Sequence, residues 1–224
     1  MKKIFGKRAI HILPLASGFI IAVKKQEIDD RSVIGYKMAT LQTDLLNSVT
    51  RNVYLLAKFG NNFKQIEERL GDSLNCKTIL LPGGQVFAAF PDGRALRCDA
   101  RAEVLWEGEL LYRGKGPADV VRQEDCLWAS FPESNTIIRY NLSSMREELR
   151  IGGSEKGAAF SYPMGLWIEG EDMLVCNAGS NSITEVNLSS FSAFDYAGFE
   201  EPVQQYLRVG ETEIVLLESG VYTL

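Results

Sequence analysis

The sequence predicts an all-β fold, a β-propeller of six blades with three to four antiparallel strands each, or five blades in the alternative. Three observations lead there. SNTIIRYNLSS at residues 134–144 returns as SNSITEVNLSS at residues 180–190, forty-six positions later. The match extends without a gap over Pro117 to Leu142 and Pro163 to Leu188, and a third unit starts in register at Pro202. Apolar runs also begin near Gly18, Val53, Val86, Leu127, Met173 and Glu213, and each ends in Gly, Asn, Asp or Ser, as a strand does when it enters a hairpin.

Taken in chain order, GFIIAVKKQ from Gly18 leads through a polar loop into SVIGYKMATL. YLLAKFGNN from Tyr54 ends in a Gly-Asn turn, and the following FKQIEERLGDS reads equally as a short helix, an outer strand or a loop. FAAFPDGRAL from Phe87 matches WASFPESNTI from Trp128, both running aromatic, small, small, Phe, Pro, acid, turn. These runs set blades at 9–42, 43–74, 75–113, 114–158, 159–199, and 200–224 together with 1–8, about 37 residues each. A single blade has two apolar faces and buries neither alone, so its neighbours must supply the core. The last unit ends shortly after its turn, and the segment KKIFGKRA is predicted to supply its missing outer strand, joining both ends of the chain in one blade.

Composition narrows the function. The 224 residues are 46% hydrophobic and 24% charged, a globular composition in a single propeller domain. A net charge of -5 and a pI near 5.1 lack the basic field that phosphate binding needs, so no nucleic-acid partner is expected. Cys76, Cys98, Cys126 and Cys176 form no C-x-x-C pair and read as free thiols buried in strands. Residues 9–23 resemble a signal sequence after four basic residues, but His11, Pro14 and Ser17 interrupt the run. We therefore expect a cytoplasmic protein without a membrane span, with a secreted or periplasmic protein carrying an uncleaved or atypical N-terminal signal as the alternative. His11 is the sole histidine, which excludes metalloenzymes that need two imidazoles, and no P-loop pattern occurs.

Units of the form Pro, strand, glycine-flanked turn, apolar run, Ser-Asn or Gly-Asn turn, then I-x-x-[YV]-N-L resemble NHL repeats and the related six-bladed, lactonase-like propellers. The resemblance is closest over Pro117 to Leu224, weaker over Cys76 to Gly116, and one of pattern alone over the first 70 residues. It implies an architecture that hosts unrelated functions. Lactonase-like relatives hold a divalent ion at the channel mouth. Here the inner strands offer Asp119, Gln204 and Gln205 with Lys77 as an opposing cation, a poor set for a hard ion. No metal and no cofactor is expected, with Ca²⁺ reserved for the alternative of a divalent-cation-dependent lactonase or sugar-acid hydrolase working in the central channel.

The preferred expectation is a non-enzymatic scaffold that binds a protein, peptide or glycan, with no catalytic residue assigned. Its binding face would be formed by the hairpins between second and third strands, which carry Lys58, Asn61, Asp92, Arg94, Glu133, Asn135 and Asn181. Asp119, Trp167, Gln204 and Tyr206 are the candidates for lining the channel. Asn135 and Asn181 also have a backbone reason to be there, since a hairpin tip with positive φ favours Gly, Asn and Asp. The NLSS phrases at 141–144 and 187–190 are predicted to be side-chain-to-backbone turns, although each also matches the N-x-[ST] acceptor pattern.

Overall fold

The computed structural model describes residues 1–5, 9–15, 18–24, 34–40, 43–50, 77–99, 101, 103–153 and 159–224. Among them the chain is all-β and repeat-like, arranged as five four-stranded antiparallel sheets that give a propeller-like fold. Strand β1 (Lys2–Phe5) is discussed with the last sheet. The first sheet runs β2 (Ala9–Leu15), β3 (Gly18–Lys24), β4 (Ile34–Thr40) and β5 (Thr43–Thr50). The second runs β6 (Lys77–Leu80), β7 (Val86–Ala89), β8 (Arg94–Cys98) and β9 (Val104–Glu109). The third is β10 (Asp119–Gln123), β11 (Cys126–Phe131), β12 (Thr136–Asn141) and β13 (Glu147–Gly152). The fourth is β14 (Pro163–Glu169), β15 (Asp172–Asn177), β16 (Ser182–Asn187) and β17 (Ala193–Gly198).

The fifth sheet takes β18 (Val203–Val209), β19 (Thr212–Leu217) and β20 (Gly220–Thr223) from the end of the chain and β1 from its beginning. Lys2 pairs with Thr223 and Phe5 with Val221, so the N-terminal segment completes the last sheet. The boundary expected between residues 42 and 43 falls inside a sheet. Thr43–Thr50 hydrogen-bonds antiparallel to β4 as its fourth strand, so the first unit extends to residue 50. Residues 51–76, on which a sixth unit depends, lie outside the described residues.

The first strands of successive sheets stand side by side, β6 against β10, β10 against β14, β14 against β18, and β18 against β2. Between them lie the cores. The second strands β7, β11, β15 and β19 are mainly apolar because both of their faces are covered, and the period-2 alternation sends adjacent side chains into different cores. In β11, Leu127, Ala129 and Phe131 pack towards the second sheet, while Trp128 packs towards the fourth. In β15, Met173 and Val175 face the third sheet and Leu174 and Cys176 the fifth. In β19, Val215 and Leu217 face the fourth sheet, while Ile214 and Leu216 join Ala9 and Ile12 of β2. The outer strands β9 and β13 alternate exposed and half-buried residues, as strands with one covered face do.

Candidate functional site

The hairpins between second and third strands, together with the loops that link one sheet to the next, share one end of the sheets. This loop face is built on fixed backbone geometry. Asn135 and Asn181 sit at equivalent hairpin tips with φ of 51° and 54°. Asn135 also reaches across to the fourth sheet, where its side-chain oxygen accepts the Tyr162 N–H at 2.7 Å. The third-to-fourth strand turns, at the opposite end, are equally specified. Asn141 Oδ1 accepts the N–H groups of Ser143 and Ser144 at 3.1 and 3.0 Å, and Asn187 Oδ1 accepts those of Ser189 and Ser190 at 3.2 and 3.0 Å. The repeated Asn residues thus serve as backbone anchors.

On the loop face, Asp92 accepts hydrogen bonds from the Arg94 backbone at 3.0 Å and from its guanidinium at 2.7 Å, and the same guanidinium lies 4.9 Å from the Phe90 ring centre. Those bonds hold the Asp92 carboxyl below its usual range. Glu133 pairs with Lys115 at 3.2 Å. Lys58 and Asn61 lie outside the described residues.

Sequence reasoning passed over Tyr112, Arg113 and Arg150, which gather beside these groups. Tyr112 and Lys115 exchange backbone hydrogen bonds at 2.9 and 3.1 Å, closing a two-residue hairpin. Its two central residues, Arg113 and Gly114, have φ of 52° and 77°, as a type I′ turn requires. The Tyr112 ring lies between two guanidinium groups, with Arg150 4.5 Å and Arg113 5.5 Å from its centre, and it meets Phe131 edge-on at 5.9 Å. Arg150 is tied to Glu147 at 2.6 Å. Among the described residues no carboxylate pairs with Arg113. The signal in the sequence was YRGKG between two strands, where Arg precedes Gly at a turn position that favours Asn or Gly.

The channel candidates are dispersed by the packing. Asp119 is buried, and its carboxylate accepts the N–H of Val120 and of Leu166, each at 3.0 Å, with the Lys77 ammonium 3.5 Å away. It fastens β10 to β14 and to β6, an inter-strand role that spends the oxygens a metal would need. Gln205, the neighbour of Gln204, does the same from β18, accepting the Ile12 N–H of β2 at 2.8 Å. Gln204 borders a small cleft of about 300 Å³ with Tyr162, Pro202 and Glu218. Trp167 and Tyr206 do meet, ring centres 6.2 Å apart and edge-on, but inside the core between the fourth and fifth sheets. Among the described residues the buried Trp167 Nε1 has no hydrogen-bond partner. Burial, reinforced by the neighbouring Tyr196, pushes the Tyr206 phenol well above its ordinary value.

Beside this pair, Glu213 accepts hydrogen bonds from Tyr196 at 2.6 Å and Arg208 at 2.7 Å, and Arg208 also reaches Glu169 at 2.9 Å. Burial acts to raise the Glu213 carboxyl, but the bonds from Tyr196 and Arg208 outweigh it and hold the carboxyl below its usual range. Among the described residues no group of three His, Cys, Asp or Glu is placed to hold a metal ion, and no helix is long and apolar enough to cross a membrane. Cys98 and Cys176 are buried, whereas Cys126 is half-buried beside Glu148, a departure from the all-buried expectation. Cys76 lies outside the described residues.

A larger cleft, of about 800 Å³, opens on the loop face between the fourth and fifth sheets. Asn181, Gly198, Phe199, Glu200, Glu201 and Tyr222 line it, with Met1 and Leu224 among its walls. Of the residues expected on the binding face, Asn181 is the one it includes.

No family model matches the sequence, and no curated protein matches it. Solved structures do match in fold. The computationally designed protein Ika4 superimposes with a TM-score of 0.51 at 11% identity, over 66% of this chain and 88% of its own. The computationally designed Ika8 gives 0.50 at 10% identity, over 98% of this chain and 71% of its own. The protein U3-55K gives 0.50 at 12% identity, over 63% of this chain and 45% of its own. At such identities the likeness is one of fold alone.

Proposed function

We propose that the chain is a closed β-propeller, related in repeat pattern to NHL propellers, and that it works as a non-enzymatic scaffold whose loop face binds a protein or peptide partner. Support for the ring comes from the five inner strands standing side by side in chain order and from β1 completing the last sheet. The proposal holds for six blades or for five, five of which are present as sheets among the described residues.

The observation that carries the binding role is Arg113. A left-handed residue other than Gly, Asn or Asp costs about 1 kcal/mol at this turn position. The Arg113 guanidinium is carried on a two-residue type I′ turn at the end of the hairpin. It stands exposed beside Tyr112, an aromatic and arginine pair of the kind that anchors protein interfaces. The neighbouring cations Arg94, Lys115 and Arg150 are each satisfied by a carboxylate, which leaves Arg113 to meet an acidic group on the partner.

The test is capture of cross-linked partners by the wild-type chain and by a variant carrying Arg113→Glu and Arg94→Glu. Loss of captured partners with an unchanged thermal unfolding midpoint supports the loop face. An identical set of partners from both proteins contradicts it.

A further inference from the structure

Gly198 and Gly152 occupy the same place in neighbouring sheets, each the last residue of the outer strand, paired with Ser182 and Thr136 respectively. Gly152 has to be glycine. Its φ is +83°, and a Cβ there would fall 2.4 Å from the Asn135 carbonyl oxygen. Gly198 has an ordinary φ, and a Cβ there would meet nothing within 4 Å. A glycine that neither backbone nor packing needs still weakens a strand by about 0.5–1 kcal/mol. What its missing side chain does provide is the open wall of the 800 Å³ cleft.

The other walls have a definite chemistry. Glu200 and Glu201 supply two carboxylates, and Phe199 and Tyr222 supply aromatic surface. Glu201 is held in place by the Ser219 N–H at 2.8 Å and the Ser219 hydroxyl at 2.5 Å, while Ser219 also lies 2.6 Å from the Tyr222 hydroxyl. Glu200 is exposed and free of such ties. The Tyr222 ring already attracts an ammonium, that of Lys3, 5.2 Å from its centre. Beside the cleft, β17 is the outer strand of its sheet, with one edge of its backbone unpaired among the described residues.

We propose that this cleft receives an extended segment of a partner protein carrying arginine or lysine. The stem of the basic side chain would lie on Phe199 and Tyr222, its head would meet Glu200 and Glu201, and the segment's main chain would run along β17. Charge complementarity selects a basic occupant at the end of the cleft that carries Glu200 and Glu201, the Lys3 ammonium and the Met1 amino group lying on the β1 side, and the whole chain carries -5. The proposal rests on the loop-face reading given above and names a second sector of that face, opposite in charge to the one around Arg113.

Fluorescence anisotropy with a labelled hexapeptide of alternating arginine and alanine, and with its glutamate counterpart, tests this on the wild-type chain and on Gly198→Trp and Glu200→Lys. The arginine peptide is expected to bind at least tenfold more tightly than the glutamate peptide. Both variants are expected to weaken it at least tenfold without moving the unfolding midpoint. Equal binding of the two peptides, no binding of the arginine peptide, or binding unchanged by Glu200→Lys overturns the proposal. If the arginine peptide fails while charge reversal at Arg113 still abolishes partner capture, this inference falls and the loop-face reading stands. If the cleft binds as expected and charge reversal at Arg113 changes nothing, the assignment of the Arg113 sector falls instead.

Discussion

The third and fourth sheets share a turn, a register and a hairpin tip, yet they are fastened to their neighbours by different means. Asn141 and Asn187 fold the same turn through the same three-residue span, and the residues that follow the Ser pairs, Met145 and Phe191, both adopt positive φ, 53° and 57°. At the inner strand the copies part. Asp119 bonds to the Leu166 N–H, whereas the equivalent Gly165 lets β18 approach so closely that a Cβ would lie 2.5 Å from the Gln204 carbonyl oxygen. On the interior strand, Trp128 in one copy stands where Leu174 stands in the other. Identity between copies at the turns and hairpin tips marks what the backbone of each unit needs. Difference marks what each unit does for its particular neighbours, or for a partner.

The largest effect that separates the two sheets is expected in the core. Trp128 is fully buried and donates its indole N–H to Gln123 at 3.0 Å, so Trp128→Ala is expected to cost about 4 kcal/mol. Leu174→Ala in the other copy is expected to cost about 3 kcal/mol. Urea unfolding measures both, and a smaller loss at Trp128 than at Leu174 would reverse the order. Next comes Asp119→Ala, which takes the acceptor from the Leu166 N–H and the carboxylate from Lys77, for about 2–3 kcal/mol. Amide exchange at Leu166 should accelerate in that variant, and unchanged protection would remove Asp119 from its fastening role.

A pH experiment sharpens the contrast further. Burial pushes the Tyr140 phenol up to about 12, from an ordinary 10.0, and its counterpart in the fourth sheet is Val186. A group whose folded value is raised contributes stability that is complete below the unfolded value and lost as pH climbs through the folded one. Stability is therefore expected to fall between about pH 10 and 12, and Tyr140→Phe should make that fall shallower, the raised Tyr196 and Tyr206 phenols accounting for the remainder, while Val186→Ala should leave its shape unchanged. The smallest effects belong to the shared turns. Asn141→Ala and Asn187→Ala should each cost about 1 kcal/mol, and the double variant should show their sum, since the two turns lie in separate sheets. Strong non-additivity would show that the turns are coupled.

The sequence revealed the repeating unit because backbone demands leave a residue signature. The Asn at the tip, the NLSS turn and the doubly covered second strand each follow from local geometry, and the copies display them forty-six positions apart. The N-terminal strand was legible for a related reason, as the last unit lacked an outer strand and KKIF had no other place. The first boundary was harder, because Thr43–Thr50 reads alike as an outer strand or as the start of a new unit. Site residues were least legible. Asp119 reads as a free carboxylate until the Leu166 N–H is placed beside it, and Trp167 and Tyr206 look accessible until the fourth and fifth sheets pack together around them. Arg113 carries no periodic signal, and Gly198 repeats Gly152 forty-six positions on, so the pattern alone reads both as demands of the backbone. They stand out once φ and surrounding space are known, which no single-residue pattern supplies.

The claim at the centre of this account is that two glycines at equivalent places in neighbouring sheets serve different ends, Gly152 the fold and Gly198 a surface. Gly152→Ala and Gly198→Ala, compared by urea unfolding, test it most directly. Gly152→Ala is expected to lose about 2 kcal/mol or more, because an alanine would be forced into a left-handed backbone and against the Asn135 carbonyl. Gly198→Ala is expected to be neutral or to gain about 0.5 kcal/mol through the unfolded chain. Equal losses at the two positions would show that both glycines are required by the fold, and would contradict the account.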